Sequence, residues 1–252
     1  MNDGAEVRFA RLERAPAYKI VSDAILKDII GGRLQIGNRL PSEQRLAQQF
    51  GVNRSTVREG IRLLEETGVL RREFGKRLVV SRPSYDDVGG RFSRAMILHE
   101  VTFRELWETI MAIEPATAGL AARKRSASDL DLIADNIART RAALSDGQAL
   151  VSLDIEFHSL IARAAANRAI VLAREALSQL IYPAFKAVLV DGSASVAGPR
   201  LLAAHEAIAQ AITDSDTETT SKWMERHIAD FRKAYEVLGF NIDAPLQPAA
   251  RD

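Results

Sequence analysis

Three of the chain's four histidines, His158, His205 and His227, lie in its second half, on three separate stretches of helical periodicity. Asp154 precedes His158 by four residues, so both side chains project from one face of a helix. Ile161 and the alanines at 164–166 surround that face, which points it inward. One carboxylate and three imidazoles make a hard-to-borderline donor set suited to zinc, nickel or manganese, with one or two positions left for water or a ligand. Against this stands the ordinary reading, since a helical histidine is usually a packing or surface residue and Asp-x-x-x-His recurs by chance. Spacing alone leaves both open. An Asp/His metal site with an open position also activates water, which would suit an enzyme. That chemistry needs a general base, and Glu156 and Glu206, which adjoin ligands in sequence, point to other helix faces.

A second chemistry is written in residues 40–70, LPSEQRLAQQFGVNRSTVREGIRLLEETGVL. Two short helices joined by a turn are expected here, and the second opens with Arg54, Ser55, Thr56 and Arg58 over an inner stripe of Val57, Ile61 and Leu64. Arginine grips guanine through two hydrogen bonds, while serine and threonine reach phosphates or base edges. The competing reading is a surface helix pair with a few basic residues.

The flanking elements favour the first reading. Residues 18–30 carry a helical apolar stripe that Gly31-Gly32 stops. Ser42 suits an N-cap, Gly51 a turn, and Asn53 the N-cap of the reading helix. Two β-prone runs, 69–73 and 77–81, flank Phe74-Gly75-Lys76 and form a hairpin wing suited to a phosphate backbone. The pattern is a winged helix-turn-helix. From residue 103 onward helices are expected near 103–124, 128–145, 148–165, 168–190, 199–213 and 217–238, with no strand and no repeat.

Charge divides the same way. Residues 1–84 hold 16 basic and 10 acidic side chains, a balance of +6, whereas the remainder holds 18 and 23, a balance of −5. A basic head on an acidic body concentrates phosphate attraction where the reading helix lies. The 252 residues allow two cores. There is no cysteine, which excludes disulfides and thiolate metal sites. No apolar signal segment or membrane-spanning run is apparent, so a cytoplasmic protein with no membrane partner is expected. The fold class expected is mainly α: a disordered arm (1–16), the winged head (17–82), a linker (83–100) with a short helix near 92–98, an all-α bundle (101–240), and a poorly ordered tail (241–252).

Residues 18–81 closely resemble the N-terminal domain of the GntR family of bacterial transcription regulators. The resemblance runs through Leu40-Pro41-Ser42-Glu43, the stretch Gly51-Val52-Asn53-Arg54-Ser55-Thr56-Val57-Arg58-Glu59, and Gly75. It implies that Arg54 and Arg58 read bases, that Ser55 and Thr56 fix the register on phosphates, and that Gly75, with Lys76 beside it, lies at the wing contact. Gln44 stands where some relatives carry a base-contacting Arg. Gly60 replaces the usual Ala, at about 1 kcal/mol in helix propensity.

Residues 103–238 resemble the FCD effector domain of the FadR subfamily, through Glu114-Pro115, Asp154-x-x-x-His158, Asn167, His205 in LLAAHEAI and His227 in MERHIADF. This implies a divalent metal, zinc first, with nickel or manganese as alternatives, held by Asp154, His158, His205 and His227. It also implies a small carboxylate or sugar-acid effector beside the metal. Many relatives place an effector-facing Arg where this chain has Ile110, so either the metal alone holds the acid or the ligand is less acidic. Arg163, Asn167, Gln179 and Tyr182 are further pocket candidates, with helix termination the simpler role for Asn167. The whole reads as a ligand-responsive repressor, not an enzyme, that acts as a homodimer on an inverted-repeat operator in double-stranded DNA. The alternative is a regulator for which the metal ion is itself the signal.

Overall fold

Ser42 begins the second helix of the head: its side chain accepts the Arg45 N–H at 3.3 Å, which satisfies a donor that the helix itself leaves free. The computed structural model describes residues 15–73, 77–192 and 194–247, and the chain divides between Asp87 and Val88 into two compact units. The first contains α1 (Ala17–Ile30), α2 (Glu43–Phe50), α3 (Arg54–Glu66) and the antiparallel pair β1 (Leu70–Glu73) and β2 (Arg77–Val80). Gly51 joins α2 to α3 at φ 65°, a left-handed conformation that glycine adopts without strain. Asn53 occupies the N-cap position of α3, but its side chain makes no capping hydrogen bond.

Leu70 faces Val80 across the hairpin, and Glu73 faces Arg77. The segment before α2 lies along the outer side of β2, with the Leu40 N–H on the Leu78 carbonyl and the Val80 N–H on the Asn38 carbonyl. This third strand-like run anchors the wing. Val21, Ile25, Leu46, Val57, Ile61, Leu64, Leu70, Leu78 and Val80 form the core, and each fully buried aliphatic contributes about 1.5–3 kcal/mol. Gly75 and Lys76, the expected wing contacts, lie outside the described residues.

Gly60 has a packing reason. A Cβ placed there would lie 2.7 Å from the Tyr18 backbone oxygen and 3.3 Å from the Ser22 nitrogen, so α1 crosses α3 at a distance that only glycine permits. Gly60→Ala gains about 1 kcal/mol of helix propensity but forces backbone to move, an overpacking cost of about 1–3 kcal/mol. The expected net result is a less stable head, read as a lower urea midpoint of the first transition of the full chain.

Helix α4 (Tyr85–Leu98) begins just before the division, and the second unit carries the rest of it with α5 (Phe103–Lys124), α6 (Ala127–Ala142), α7 (Gly147–Ala164), α8 (Arg168–Lys186), a π-helical turn (Ala187–Gly192), α9 (Ala194–Thr213) and α10 (Thr217–Val237). Capping boxes start α5 (Thr102 with Glu105) and α6 (Ser126 with Asp129), while Asp146, Asn167 and Asp216 cap α7, α8 and α10. Helix α5 lies centrally, against α7, α8, α9 and α10, and buries Ala118, Gly119, Ala121 and Ala122 where small side chains let helices approach.

Three sequence expectations change. The segment expected as a linker, 83–100, is mostly helix: α4 begins at Tyr85, with the Ser84 hydroxyl accepting the Asp87 N–H. Helix α9 begins at Ala194, so Pro199 stands inside it instead of opening it. The tail is not loose over 241–247. There Ile242 is buried, Asp243 pairs with Arg104 through two hydrogen bonds, and the Leu246 N–H donates to the Val101 carbonyl. Among the described residues no single helix is long and apolar enough to cross a membrane.

Candidate functional site

The bundle draws Asp154 and His158 of α7, His205 of α9 and His227 of α10 to one point, where one ligand atom from each lies within 4.8 Å of the others. Asp154 and His205 are fully buried; His158 and His227 keep 5% and 6% of their surface. Asp154 Oδ1 lies 3.1 Å from His205 Nε2, 3.6 Å from His227 Nε2 and 4.0 Å from His158 Nε2. Despite this proximity, both Asp154 oxygens and both His205 nitrogens are without a well-formed hydrogen bond. Buried polar atoms are otherwise almost always paired. Four converging donors with unused lone pairs fit a divalent cation, and the Asp/His₃ composition fits zinc-like ions.

The surroundings prepare the donors. Phe157 stacks on His205 with ring centroids 3.7 Å apart and planes 9° from parallel, which fixes that imidazole. Burial pushes the His205 pKa down to about 4, so the ring is neutral near pH 7 and ready to donate a lone pair. Burial would raise Asp154, yet the three imidazoles outweigh it and hold the carboxyl far below the usual carboxylate range. Burial pulls His158 down, but Glu114 and Asp154 reverse this and leave it above an ordinary histidine.

Glu114 of α5 supplies the support. Its Oε2 lies 3.1 Å from His158 Nδ1, and its Oε1 accepts from Arg174 Nε at 2.9 Å. Arg174, on α8, also donates to the Ser159 hydroxyl and the Ile155 carbonyl. A carboxylate on Nδ1 sets the tautomer that leaves Nε2 free for metal. Burial raises the Glu114 pKa, but His158 and Arg174 overcome this and keep it ionised. Sequence reasoning missed both residues' roles: Glu114 appeared only as part of a family landmark, and Arg174 lies 60 residues from its partner. The expected result for Glu114→Gln is a metal affinity lower by about 10–100-fold, measured by competition with a chelating dye.

Ile110 lines a recess beside His158 and His227, as do Glu114 and Arg174. Arg163, Asn167 and Tyr182 do not line it. Arg163 is exposed, Asn167 caps α8 by accepting the Ala169 and Ile170 N–H groups, and the Tyr182 hydroxyl accepts from Gln148. Tyr182 and Gln179 belong to a separate surface cleft. Glu156 and Glu206 pair outward with Arg139 and Arg141, away from the cluster.

In the head, Arg54, Ser55, Arg58 and Gln44 are exposed and Thr56 is half-buried, while Val57, Ile61 and Leu64 of the same helix face inward. Arg54 Nε lies 3.2 Å from Glu43, whose other oxygen is 3.5 Å from Arg72 of β1. Glu43 thus braces the first turn of α3 against the wing. Among the described residues Arg58 makes no hydrogen bond or ion pair, so its guanidinium is available to a partner.

Residues 17–80 match the family model of "Bacterial regulatory proteins, gntR family", and residues 105–230, half of the chain, match the FCD domain. A putative HTH-type transcriptional regulator, RmpR of Mycobacterium gastri, is 30% identical over 247 residues, which covers 94% of this chain and 87% of that protein. The chain belongs to the GntR family. It is also similar to the HTH-type transcriptional regulator LutR of Bacillus subtilis, at 30% identity over 139 residues, 55% of this chain and 64% of LutR. Streptococcus agalactiae GntR shares the fold, with a TM-score of 0.65 at 24% identity over 86% of this chain and 99% of that one. This GntR-family chain is accordingly a DNA-binding regulator, and its buried Asp/His cluster has a geometry compatible with a metal site.

Proposed function

We propose that this protein is a repressor of the FadR subfamily, whose operator binding is controlled by a small acid bound beside a resident divalent metal, zinc before nickel or manganese. The observation that carries this reading is the joint presence of an exposed arginine-bearing helix in one unit and four converging buried donors in the other, with the polar atoms of Asp154 and His205 left unpaired. Arg54 and Arg58 read bases. Ser55 and Thr56 set the register, Gln44 faces the operator where some relatives carry a base-contacting Arg, and Gly75 and Lys76 follow the backbone from the wing. The protein acts in the cytoplasm as a homodimer, so two α3 helices meet an inverted repeat.

Asp154, His158, His205 and His227 would hold the metal, which when bound supplies a Lewis-acidic position for a carboxylate oxygen. The chain's own part is to orient His158 through Glu114 and to exclude bulk water. An acid favouring one arrangement of the bundle shifts the population toward it, and only its differential affinity for the two arrangements changes DNA binding. Complete burial of Asp154 and His205 supports a resident ion over a freely exchanging signal.

Selection of bound sequences from a random duplex pool tests the proposal. The expected result is an inverted repeat bound with an affinity that falls steeply with salt, by about 10³–10⁵ between 50 and 200 mM for 6–10 phosphate contacts. A flat salt response or an unpaired half-site would overturn the groove-and-wing arrangement.

A further inference from the structure

Resting on the reading of a metal-assisted acid receptor, we infer that the effector is a monocarboxylic acid with an apolar tail, and neither a sugar acid nor a polycarboxylic acid. The recess beside the Asp/His cluster is walled by Ile110, Leu177, Ile181, Phe185, Ile228 and Phe231. Its polar groups are already engaged. Both Glu114 oxygens are taken, by His158 and Arg174. Arg174 spends its Nε on Glu114, one terminal nitrogen on Ser159 and the other on the Ile155 carbonyl. The Ser178 hydroxyl donates to the Glu175 carbonyl. Arg174, the one arginine of this recess, is already paired with the Glu114 carboxylate, and few partners remain there for a second carboxylate or a row of hydroxyls, whose unpaired burial is unfavourable.

A second, mostly apolar cavity adjoins the first, and Phe185, His227 and Phe231 line both; its charged lining residues, Arg200 and Asp230, are of opposite sign and give it no net attraction for a second carboxylate. The first offers about 30 Å³ and the second about 130 Å³. An apolar cavity of about 150 Å³ holds a six-carbon ring, so the pair suits a tail of that size. The Phe185 and Phe231 rings, 4.3 Å apart and tilted by 42°, stand between them. An acid whose head lies at His158 and His227 sends its tail past Phe231 into the second cavity. Where a guanidinium at position 110 would fork a further carboxylate, Ile110 offers only hydrocarbon.

Titration calorimetry on the full-length, zinc-loaded protein tests this, with straight-chain alkanoates from acetate to octanoate against succinate and gluconate, before and after chelation. Affinity is expected to rise roughly fourfold per methylene to a maximum at six to eight carbons. Succinate and gluconate should bind at least about tenfold more weakly than hexanoate, and chelation should abolish binding. A flat series, preference for succinate or gluconate, or binding indifferent to chelation would overturn the inference. Zinc taken up one-to-one with no alkanoate bound overturns it and leaves the metal reading standing. Failure to take up zinc overturns both. Ile110→Arg should reverse the preference toward succinate. If that variant does not fold, Phe231→Ala should move the optimum to longer chains, and an unmoved optimum overturns the tail's path.

Discussion

His205→Ala is expected to abolish stoichiometric metal binding and, with it, the stability that chelation removes from the native protein. His205 is one of four donors, is wholly buried, and has both ring nitrogens unpaired. A metal present at a thousandfold over its Kd stabilises the folded state by about 4 kcal/mol. In a unit of this size that is on the order of 10 °C in melting temperature. The variant also loses the ring stacked on Phe157, which lowers stability with or without metal. The two effects separate cleanly: the packing loss persists in chelator, whereas the metal contribution is the difference between melts with and without it. That difference should vanish in His205→Ala. Retention of one ion per chain would remove His205 from the ligand set.

Arg58→Ala is expected to leave the fold intact and to erase sequence preference. Arg58 is exposed and makes no ion pair among the described residues, so its removal breaks nothing inside the head. Each bidentate arginine–guanine contact is worth about 1–3 kcal/mol of discrimination, and the proposed homodimer would lose it twice. Specific affinity should fall by roughly two to four orders of magnitude at fixed salt, while non-specific binding changes little. Arg54→Ala differs in kind, because Arg54 is held by Glu43 and its loss also frees a carboxylate beside the wing. Binding competition between operator and scrambled duplex distinguishes the two. Undiminished preference in Arg58→Ala would place the reading surface elsewhere.

Local signals carried most of the fold. Glycines at 51 and 68, the Ser42 cap and the helical stripes mark α1 to α3, and the three histidines with Asp154 mark the cluster, because each signal lies within a few residues of its effect. What was not legible depends on distant neighbours. Glu114 reaches His158 across 44 positions and Arg174 across 60, and only the packing of α5 against α7 and α8 makes them a unit. Gly60 looked like a weakness in a helix, and the approach of α1 gives it a purpose. Arg163 and Tyr182 were plausible for the recess by type, but helix rotation turns the first to solvent and the second to another cleft. The order of residues 241–247 was hidden because two prolines and no periodicity suggest loose chain, whereas their partners are at 101–104.

That last pairing has an architectural outcome. The Arg104 N–H meets the Ile242 carbonyl at 2.8 Å, and Thr102 bridges to Pro245, so the way into the bundle and the way out lie side by side. A module whose entrance and exit are stitched together can be spliced into a host loop, or closed into a circle and reopened at a surface turn, with little change in its interior. The helical unit is in this sense a cartridge: its buried Asp/His cluster travels whole with it.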